Sequence, residues 1–223
     1  MYILYGGGYT RAHMTEMVLT EVGAPYEVRA VDTAKHENRS PEFLKINPAG
    51  WVPAMVTPEG QVLYETPALN LFVAERHGNG VLAPATNDPQ RGAFLSALFY
   101  LTDELEPALK RYFYPQRYVV RAEDADEMRK MSLDGVCTCL GVIDNRLASN
   151  GPFHLGDRYS LADLTLSFWM CSIMDREVLA EFEANHRCLE LVRARPALRE
   201  LFDALEARVA KYAEIDSRGE WIA

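Results

Sequence analysis

The spacing of hydrophobic residues changes near residue 80 and divides the chain into two parts. Before that point, short β-prone runs alternate with runs whose apolar residues recur every three or four positions. The short runs predict strands, and the recurring spacing predicts helices. The predicted strands are residues 1–5, 26–31, 53–57 and 61–64, and the predicted helices are residues 11–22, 41–46 and 67–77.

The order of these elements predicts a four-stranded sheet. A strand, a helix and a second strand follow one another at the N-terminus, and such a crossover implies a parallel pair with a right-handed connection. Residues 58–60, Pro-Glu-Gly, predict a hairpin turn between the third and fourth strands. Residues 1–78 are therefore predicted to form an α/β domain with the order βαβ-α-ββ-α.

After a connector rich in Asn, Gly and Pro, every periodic segment predicts a helix. The predicted helices are residues 89–111, with a bend at Pro107, and residues 122–148, 160–175 and 196–212. Residues 88–223 are therefore predicted to form an all-helical bundle domain. A length of 223 residues is compatible with two domains.

Charge and composition exclude several classes of protein. The net charge of −9 disfavours nucleic acid and anionic membrane surfaces as partners. No apolar run approaches the roughly 20 residues that a membrane span needs. The first eight residues lack the charged and apolar regions of a signal peptide, so we expect a cytoplasmic protein.

The four cysteines predict neither a dithiol redox site nor a metal site. No two of them have C-x-x-C spacing, and no histidines lie at the spacing of a zinc site. In a reducing compartment, cysteines of this kind behave as small buried hydrophobes. We therefore expect no bound metal.

Residues 47–54, Asn-Pro-Ala-Gly-Trp-Val-Pro-Ala, place a proline at the start of the third predicted strand. Pro53 cannot donate a ladder hydrogen bond, and X-Pro bonds are the peptide bonds that readily adopt the cis form. If the Val52–Pro53 bond is cis, the backbone N–H and C=O of Val52 turn outward and can pair with an extended peptide. An ordinary turn before a strand is the alternative.

Glu65, Thr66 and Pro67 place an acid and a hydroxyl at the start of a predicted helix. A helix N-terminus offers unpaired N–H groups and about half a positive charge. Thr66 can therefore bind a carboxylate while Glu65 binds a neighbouring ammonium, and an α-amino acid carries both groups on one carbon. Plain N-capping by Thr66 explains the same residues and is compatible with this function.

Ser160 and Asp163 form a variant of the capping box at the start of a later helix, with Asp in place of the usual Glu or Gln. Tyr159 and Leu164 stand at the two positions of a hydrophobic staple. We interpret this motif as structural rather than as a catalytic use of Asp163.

The combined order of these motifs resembles the cytosolic glutathione transferase superfamily, with a bacterial-type member as the nearest pattern. The resemblance rests on a strand, loop and helix followed by NPAGWVPAM, LYETPAL and LGDRYSLADLTL, and it covers nearly the whole chain. It implies a thioredoxin-like domain that holds glutathione and a helical domain that helps to form the pocket for a second substrate.

The resemblance also implies roles for individual residues. Pro53 corresponds to the family's cis-proline, Val52 pairs with the cysteinyl part of glutathione, and Glu65 and Thr66 hold its γ-glutamyl head. Lys35 lies where some bacterial members bind the glycyl carboxylate, with a solvated surface lysine as the alternative. Asp103 or Glu104 can reach the γ-glutamyl ammonium, or can belong to a solvated helix face.

The group that activates the thiol departs from the family's pattern. The family uses Tyr, Ser or Cys between the first strand and the first helix, and residues 5–11 contain no Ser or Cys. Thr10 lies where bacterial Cys-type members carry their cysteine, so we rank Thr10 first, Tyr9 second and Tyr5 third. Arg11 can add positive charge in the first turn of the helix or face solvent.

Residues 112–118 are dense in aromatics with basic neighbours. Tyr114 can line the second-substrate pocket, with Arg117 or Arg121 facing an anionic group. Packing at a helix end with surface arginines is the alternative interpretation.

The function that the resemblance implies is a cytoplasmic, homodimeric glutathione S-transferase in detoxification. Its co-substrate is glutathione, and its second substrate is a small electrophile. The alternative is a non-catalytic binding or adaptor protein with the same fold. A thiol–disulfide oxidoreductase is disfavoured because the N-terminal part of the chain has no cysteine.

Overall fold

The computed structural model describes residues 1–8 and 10–217. Its N-terminal part contains a mixed sheet of four strands in the order β2-β1-β3-β4. The strands are β1 (Tyr2–Gly6), β2 (Tyr26–Ala30), β3 (Ala54–Val56) and β4 (Val62–Tyr64), and the helices are α1 (Ala12–Glu21), α2 (Pro41–Leu44) and α3 (Thr66–His77). The predicted βαβ-α-ββ-α order is confirmed.

The register of the sheet places the end of β1, the start of β3 and the end of β4 side by side. β1 pairs in parallel with β2, as the crossover predicts, and antiparallel with β3, which pairs antiparallel with β4. Ala54 is the residue of β3 that faces Tyr5 on one side and Tyr64 on the other. The loops that follow β1, precede β3 and follow β4 carry the motifs identified in the sequence.

Alternation along the strands builds the core of this sheet. Tyr2 and Leu4 of β1 are buried, and Ile3 and Tyr5 between them are only partly covered. On the helices, Met17 and Val18 of α1 and Val73 of α3 are fully buried, because apolar residues at helical spacing share one face.

The rest of the chain is helical. The helices are α4 (Arg91–Tyr100), α5 (Glu106–Phe113), α6 (Ala125–Asn150), α7 (Leu161–Ser172), α8 (Arg176–Leu179), α9 (Glu183–Arg193) and α10 (Arg199–Ser217). A thioredoxin-like sheet with its helices, followed by a helical C-terminal region, is the predicted fold class, and it is confirmed. No helix within the described residues has both the length and the apolar composition needed to cross a membrane.

A π-helical segment, Leu101–Leu105, separates α4 from α5, so the single helix predicted over residues 89–111 is not uniform. Pro107 has no N–H and cannot complete the usual bond to the carbonyl four residues earlier. The N–H of Glu106 instead donates to the carbonyl of Leu101, five residues before it. Proline thus explains why the hydrogen-bond pattern widens here.

Helix α9 was not expected from the sequence. Its apolar residues Cys188, Leu189 and Val192 follow helical spacing and are buried, but charged residues surround them. Helix α7 ends at Ser172, three residues before the predicted end.

The described residues form two compact units that are not continuous in sequence. The first comprises residues 1–83 and 171–174 and the chain from residue 192, and the second comprises residues 84–170 and 175–191. Helix α10 therefore belongs to the same unit as the sheet. The predicted domain limits at residues 78 and 88 stay a prediction.

Candidate functional site

Three side chains hold the loop that precedes β3. They donate to the carbonyl oxygens of three successive residues: Arg39 to Ala49 (3.0 Å), Asn38 to Gly50 (2.7 Å) and Asn47 to Trp51 (2.8 Å). The next residue, Val52, makes no backbone hydrogen bond within the described part of the chain. The Val52–Pro53 bond is cis. A residue whose own backbone N–H and C=O are both unused in the described structure therefore lies shortly before β3.

Gly50 is required by the packing of this loop. Its φ is +66°, and a Cβ atom there would lie 2.5 Å from Nη1 of Arg39. The guanidinium of Arg39 also lies 4.9 Å from the ring centroid of Trp51, whose side chain is half exposed. The sequence analysis did not identify Arg39 and Asn38. Asn47 is the first residue of the motif of residues 47–54, which is the only sequence feature that pointed to it.

The start of α3 is left open. Glu65 is exposed, its φ is +73°, and its side chain makes no capping bond, although its carbonyl accepts the first helical bond, from Leu69. A positive φ is uncommon for a residue with a side chain and concentrates at functional sites. Helix α3 begins at Thr66, so the prediction that Thr66 is the N-cap is wrong, and Glu65 takes that position.

Thr66 is 2% exposed, and its hydroxyl oxygen has no hydrogen-bond partner in the described structure. The N–H groups of Thr66 and Ala68, in the first turn, have no acceptor inside the helix, and Pro67 has no N–H. Leaving a buried hydroxyl unpaired costs roughly 1–3 kcal/mol. The start of α3 therefore has unused donors that point to an anionic ligand.

The loop between β1 and α1 carries the predicted thiol-activating group. Thr10 is partly exposed, and its hydroxyl donates to the carbonyl of Gly7 at 2.9 Å and accepts from the N–H of Ala12 at 3.3 Å. Gly6 permits this loop, because its φ is +151° and a Cβ atom would collide with that of Ala12. Tyr9 lies outside the described residues.

Two further candidates near this loop have identified partners. The Tyr5 hydroxyl accepts from Arg29 at 3.1 Å, which accounts for Tyr5 without a ligand. Lys35 pairs with Asp32 at 3.0 Å and its side chain is 76% exposed, and this lysine lowers the pKa of Asp32. Arg11 immediately precedes α1 and is partly exposed. Val52, Glu65, Thr66 and Thr10 all belong to the first unit.

The remaining candidates belong to the second unit. Asp103 is exposed in the π-helical segment and accepts from the Thr102 hydroxyl at 3.0 Å. The guanidinium of Arg117 lies 4.3 Å from the ring centroid of Tyr114, whereas Arg121 is engaged by Asp124 at 2.7 Å. Tyr114 and Arg117 thus form a cation–π pair, of which Arg117 is exposed.

The start of α7 makes one half of the predicted capping box, the bond from the Ser160 N–H to the Asp163 carboxylate. Both the N–H and the hydroxyl of Ser160 donate to Oδ2 of Asp163, each at 2.8 Å. The predicted bond from the N–H of Asp163 to the Ser160 hydroxyl is not made, because that N–H bonds the Ser160 carbonyl instead. The backbone N–H of His154 and its ring Nδ1 lie 2.7 and 2.8 Å from Oδ1 of Asp163.

All four cysteines lie within the described residues, and none of them forms a disulfide. Cys171 and Cys188 are buried, as expected for small hydrophobes, but Cys137 and Cys139 are only partly covered. Burial, followed by the neighbouring Asp163, raises the pKa of the Cys188 thiol strongly. Within residues 1–8 and 10–217, no three His, Cys, Asp or Glu side chains are grouped to hold a metal ion.

Comparison with known proteins bears on the same region. Residues 10–76 match the model of the glutathione S-transferase N-terminal domain. A glutathione S-transferase domain-containing protein of Dictyostelium discoideum is 25% identical over 183 residues, 76% of this chain and 66% of that protein, so the match spans just under two thirds of its length. The disulfide-bond oxidoreductase YfcG of Escherichia coli (strain K12) is 28% identical over 211 residues, 88% of this chain and 92% of that protein.

A solved structure supports the same relationship. The crystal structure of a glutathione transferase homologue from Sulfitobacter, with bound glutathione, aligns with a TM-score of 0.79 and 26% identity. The alignment covers 92% of this chain and 98% of that chain. The residues that match the N-terminal domain include Val52, Pro53, Glu65 and Thr66.

Proposed function

We propose that this chain, which belongs to the glutathione S-transferase superfamily, binds glutathione in its first unit and activates the glutathione thiol for attack on a small electrophile. The observation that carries the proposal is the pair of unused polar sites in that unit. One is the backbone of Val52, and the other is the start of α3. Together they offer donors and acceptors suited to a short anionic peptide.

The γ-glutamyl head fits the start of α3. Its carboxylate accepts from the first-turn N–H groups and from the Thr66 hydroxyl, where the helix dipole favours negative charge. Its ammonium pairs with the exposed Glu65 carboxylate. Because the Thr66 oxygen is covered in the absence of ligand, binding requires a change of its side-chain rotamer.

The cysteinyl residue fits beside Val52. Its backbone N–H and C=O pair with the C=O and N–H of Val52, as an added strand does. Each such bond contributes about 0.5–1.5 kcal/mol. Lys35 can bind the glycyl carboxylate after leaving Asp32, and Asp103 or Glu104 remains a proposed partner of the γ-glutamyl ammonium.

Thr10 is proposed to activate the thiol, with Tyr9 as the alternative. A free thiol has a pKa near 8.5, so lowering it by ~2 units needs ~2.7 kcal/mol. A hydroxyl that donates to a charged acceptor supplies roughly 1.5–3 kcal/mol, enough for Thr10 to exchange the Gly7 carbonyl for the thiolate. The dipole of α1 and the charge of Arg11 add to this effect.

In the proposed reaction, the thiol proton leaves to solvent and the thiolate sulfur attacks the electrophilic carbon. The leaving group departs with the bonding electron pair, which gives a thioether conjugate. Tyr114 and Arg117 are proposed to face the electrophile. Positioning the two reactants and ionising the thiol supply the rate enhancement.

The proposed biological setting is detoxification by a cytoplasmic homodimer. We expect exposed apolar side chains on the second unit to lie in the contact between two copies, because association would remove them from water. They are Phe99 (47% exposed), Met131 (64%) and Val142 (52%). Sedimentation should give twice the mass of one chain.

A glutathione-affinity column combined with an aryl halide assay tests the function. Retention with turnover of chlorodinitrobenzene supports the transferase. Retention without turnover supports a ligand-binding protein, and failure to be retained supports the adaptor alternative.

A disulfide-bond oxidoreductase is the second candidate function, favoured by the similarity to YfcG over 88% of this chain. The first cysteine of this chain is Cys137, so the thiolate of bound glutathione would attack the disulfide. One sulfur leaves as a thiol and a mixed disulfide forms, which a second glutathione reduces while becoming oxidised glutathione. Consumption of two glutathione molecules per small disulfide, without aryl halide turnover, would favour this function.

A further inference from the structure

A cluster of hydrogen bonds around the buried His13 joins the loop after β1 to helix α10 inside the first unit. Nη1 of Arg208 donates to the carbonyl of Gly8 at 3.1 Å and lies 2.9 Å from Nδ1 of His13. This nitrogen carries two hydrogens, so each acceptor can take one. One guanidinium therefore contacts both the loop and the helix that follows it.

The hydrogen bonds of His13 fix the state of its ring. His13 is 2% exposed, and its Nε2 lies 2.8 Å from the carbonyl of Leu201, which can only accept. Nε2 therefore carries the proton, and Nδ1 is left as the acceptor for Arg208. Oε2 of Glu16 lies 3.3 Å from Nδ1 of His13 and can accept a hydrogen bond from it only if the ring gains a second proton.

The bond to Gly8 lies beside the bond that holds Thr10. The carbonyl of Gly7 accepts from the Thr10 hydroxyl, and the next carbonyl along the chain, that of Gly8, accepts from Arg208. The orientation of these two successive peptide units sets the place of the Thr10 hydroxyl. An arginine suits this task, since the two hydrogens on one nitrogen of its planar guanidinium point in fixed directions.

We propose that Arg208 is a positioning residue, which holds Gly7 and Gly8, in the loop after β1, in the conformation that presents Thr10 to the glutathione thiol. The inference rests on the proposed function. Arg208 acts through the Gly8 carbonyl and His13 rather than on the substrate. It makes helix α10, more than 190 residues later in the sequence, part of the thiol-activating arrangement.

The experiment compares Arg208→Met with Lys211→Met in the full chain. Lys211 is exposed on the same helix, so its variant removes the same charge without touching the loop. Hydrogen exchange of the amides of residues 6–12 is measured in the free protein. The pH dependence of the thiolate absorbance is measured with bound glutathione, and affinity is measured with S-methylglutathione, which has no ionisable thiol.

Arg208→Met should make the loop amides exchange about tenfold faster. It should raise the pH at which the bound thiol ionises by about one unit, with affinity for S-methylglutathione almost unchanged. Lys211→Met should do neither. Arg208→Lys, which keeps the charge but loses the planar guanidinium, should restore the pH of thiol ionisation only as far as it restores protection of the loop amides.

Unchanged hydrogen exchange of the loop amides in Arg208→Met would overturn the proposal. Faster exchange with no shift in the pH of thiol ionisation would also overturn it. A third contrary result is an Arg208→Lys variant in which the pH of thiol ionisation recovers fully while the loop amides still exchange fast. The effect of Arg208 on the thiol would then be one of charge alone. Absence of saturable glutathione binding by the wild-type protein would overturn the proposed function. The exchange measurement would then still decide whether Arg208 holds the loop.

Discussion

Two helix starts in this molecule carry similar sequence signatures and have opposite structures. At the start of α7, the Asp163 carboxylate accepts from the N–H and hydroxyl of Ser160 and from two groups of His154. At the start of α3, the buried Thr66 hydroxyl has no partner, and the exposed Glu65 stands at a positive φ. The first start is closed by the chain itself, and the second is left open.

The difference separates stability from binding. Buried polar groups are normally paired, so a closed start contributes to folding. An open start keeps a desolvated donor and the positive end of the helix dipole unused, which lowers stability and favours an anionic ligand. Substitutions at the two starts should therefore have different consequences.

The largest expected effect is at the closed start. Asp163→Asn should lower the free energy of unfolding by about 3–5 kcal/mol, because an amide NH₂ would face donors that now bind a carboxylate. Urea denaturation measures this change. Asp157→Asn, at an exposed position nearby, should change it by less than about 0.5 kcal/mol. A loss at Asp163 no larger than this control would show that α7 is not closed by its carboxylate.

The open start should respond in binding and not in stability. Thr66→Val replaces an unpartnered hydroxyl by a methyl group, so the protein should keep its stability or gain slightly. Glutathione affinity should fall about tenfold, as expected for the loss of one hydrogen bond to a carboxylate. Calorimetry measures the affinity for glutathione of the wild-type protein and of Thr66→Val. Thr15→Val removes another buried, unpartnered hydroxyl and should leave affinity unchanged.

Thr10 is an intermediate case at the start of α1, because its hydroxyl is paired locally but remains partly exposed. Thr10→Val should raise the pH at which bound glutathione ionises by about one unit, since the thiolate loses a donor. Ultraviolet absorbance of the thiolate provides the titration. An unshifted curve, together with a shifted one for Tyr9→Phe, would move the role to Tyr9.

The smallest effect concerns the thiol beside the closed start. Burial and Asp163 raise the folded-state pKa of Cys188, whereas an unfolded thiol ionises near pH 8.5. A raised pKa gives stability that is present below the unfolded value and lost as pH rises above it. Stability should thus fall by up to about 1.4 kcal/mol per pH unit above pH 9, less steeply in Cys188→Ala. Equal slopes in the two proteins would contradict this account.

The sequence predicts local features of the molecule well. Strand β2 was predicted as residues 26–31 and is Tyr26–Ala30, because a short β-prone run that follows a Gly and Pro turn is typical of a strand. Helix α9 was missed because its apolar stripe is short and lies among charged residues. The site shows the same limit.

Motif spacing predicts Val52 and Thr66 as site residues, yet the side chains that contact the neighbouring loops come from outside the motifs. Asn38 and Arg39 reach the loop before β3 only after the chain folds. The contact of Arg208 with Gly8 spans most of the sequence and depends on where α10 packs. The N-cap position was also assigned one residue too late, since positive φ at Glu65 has no clear signal in its residue type.

Isothermal titration calorimetry of the wild-type protein with glutathione, at millimolar ligand, shows whether the open start of α3 is a glutathione site. We expect a saturable heat with one molecule of glutathione per chain, an affinity about tenfold weaker in Thr66→Val and an unchanged affinity in Thr15→Val. A titration without heat or saturation, or one in which Thr66→Val binds as tightly as the wild type, would contradict the assignment of the open helix start as the glutathione site.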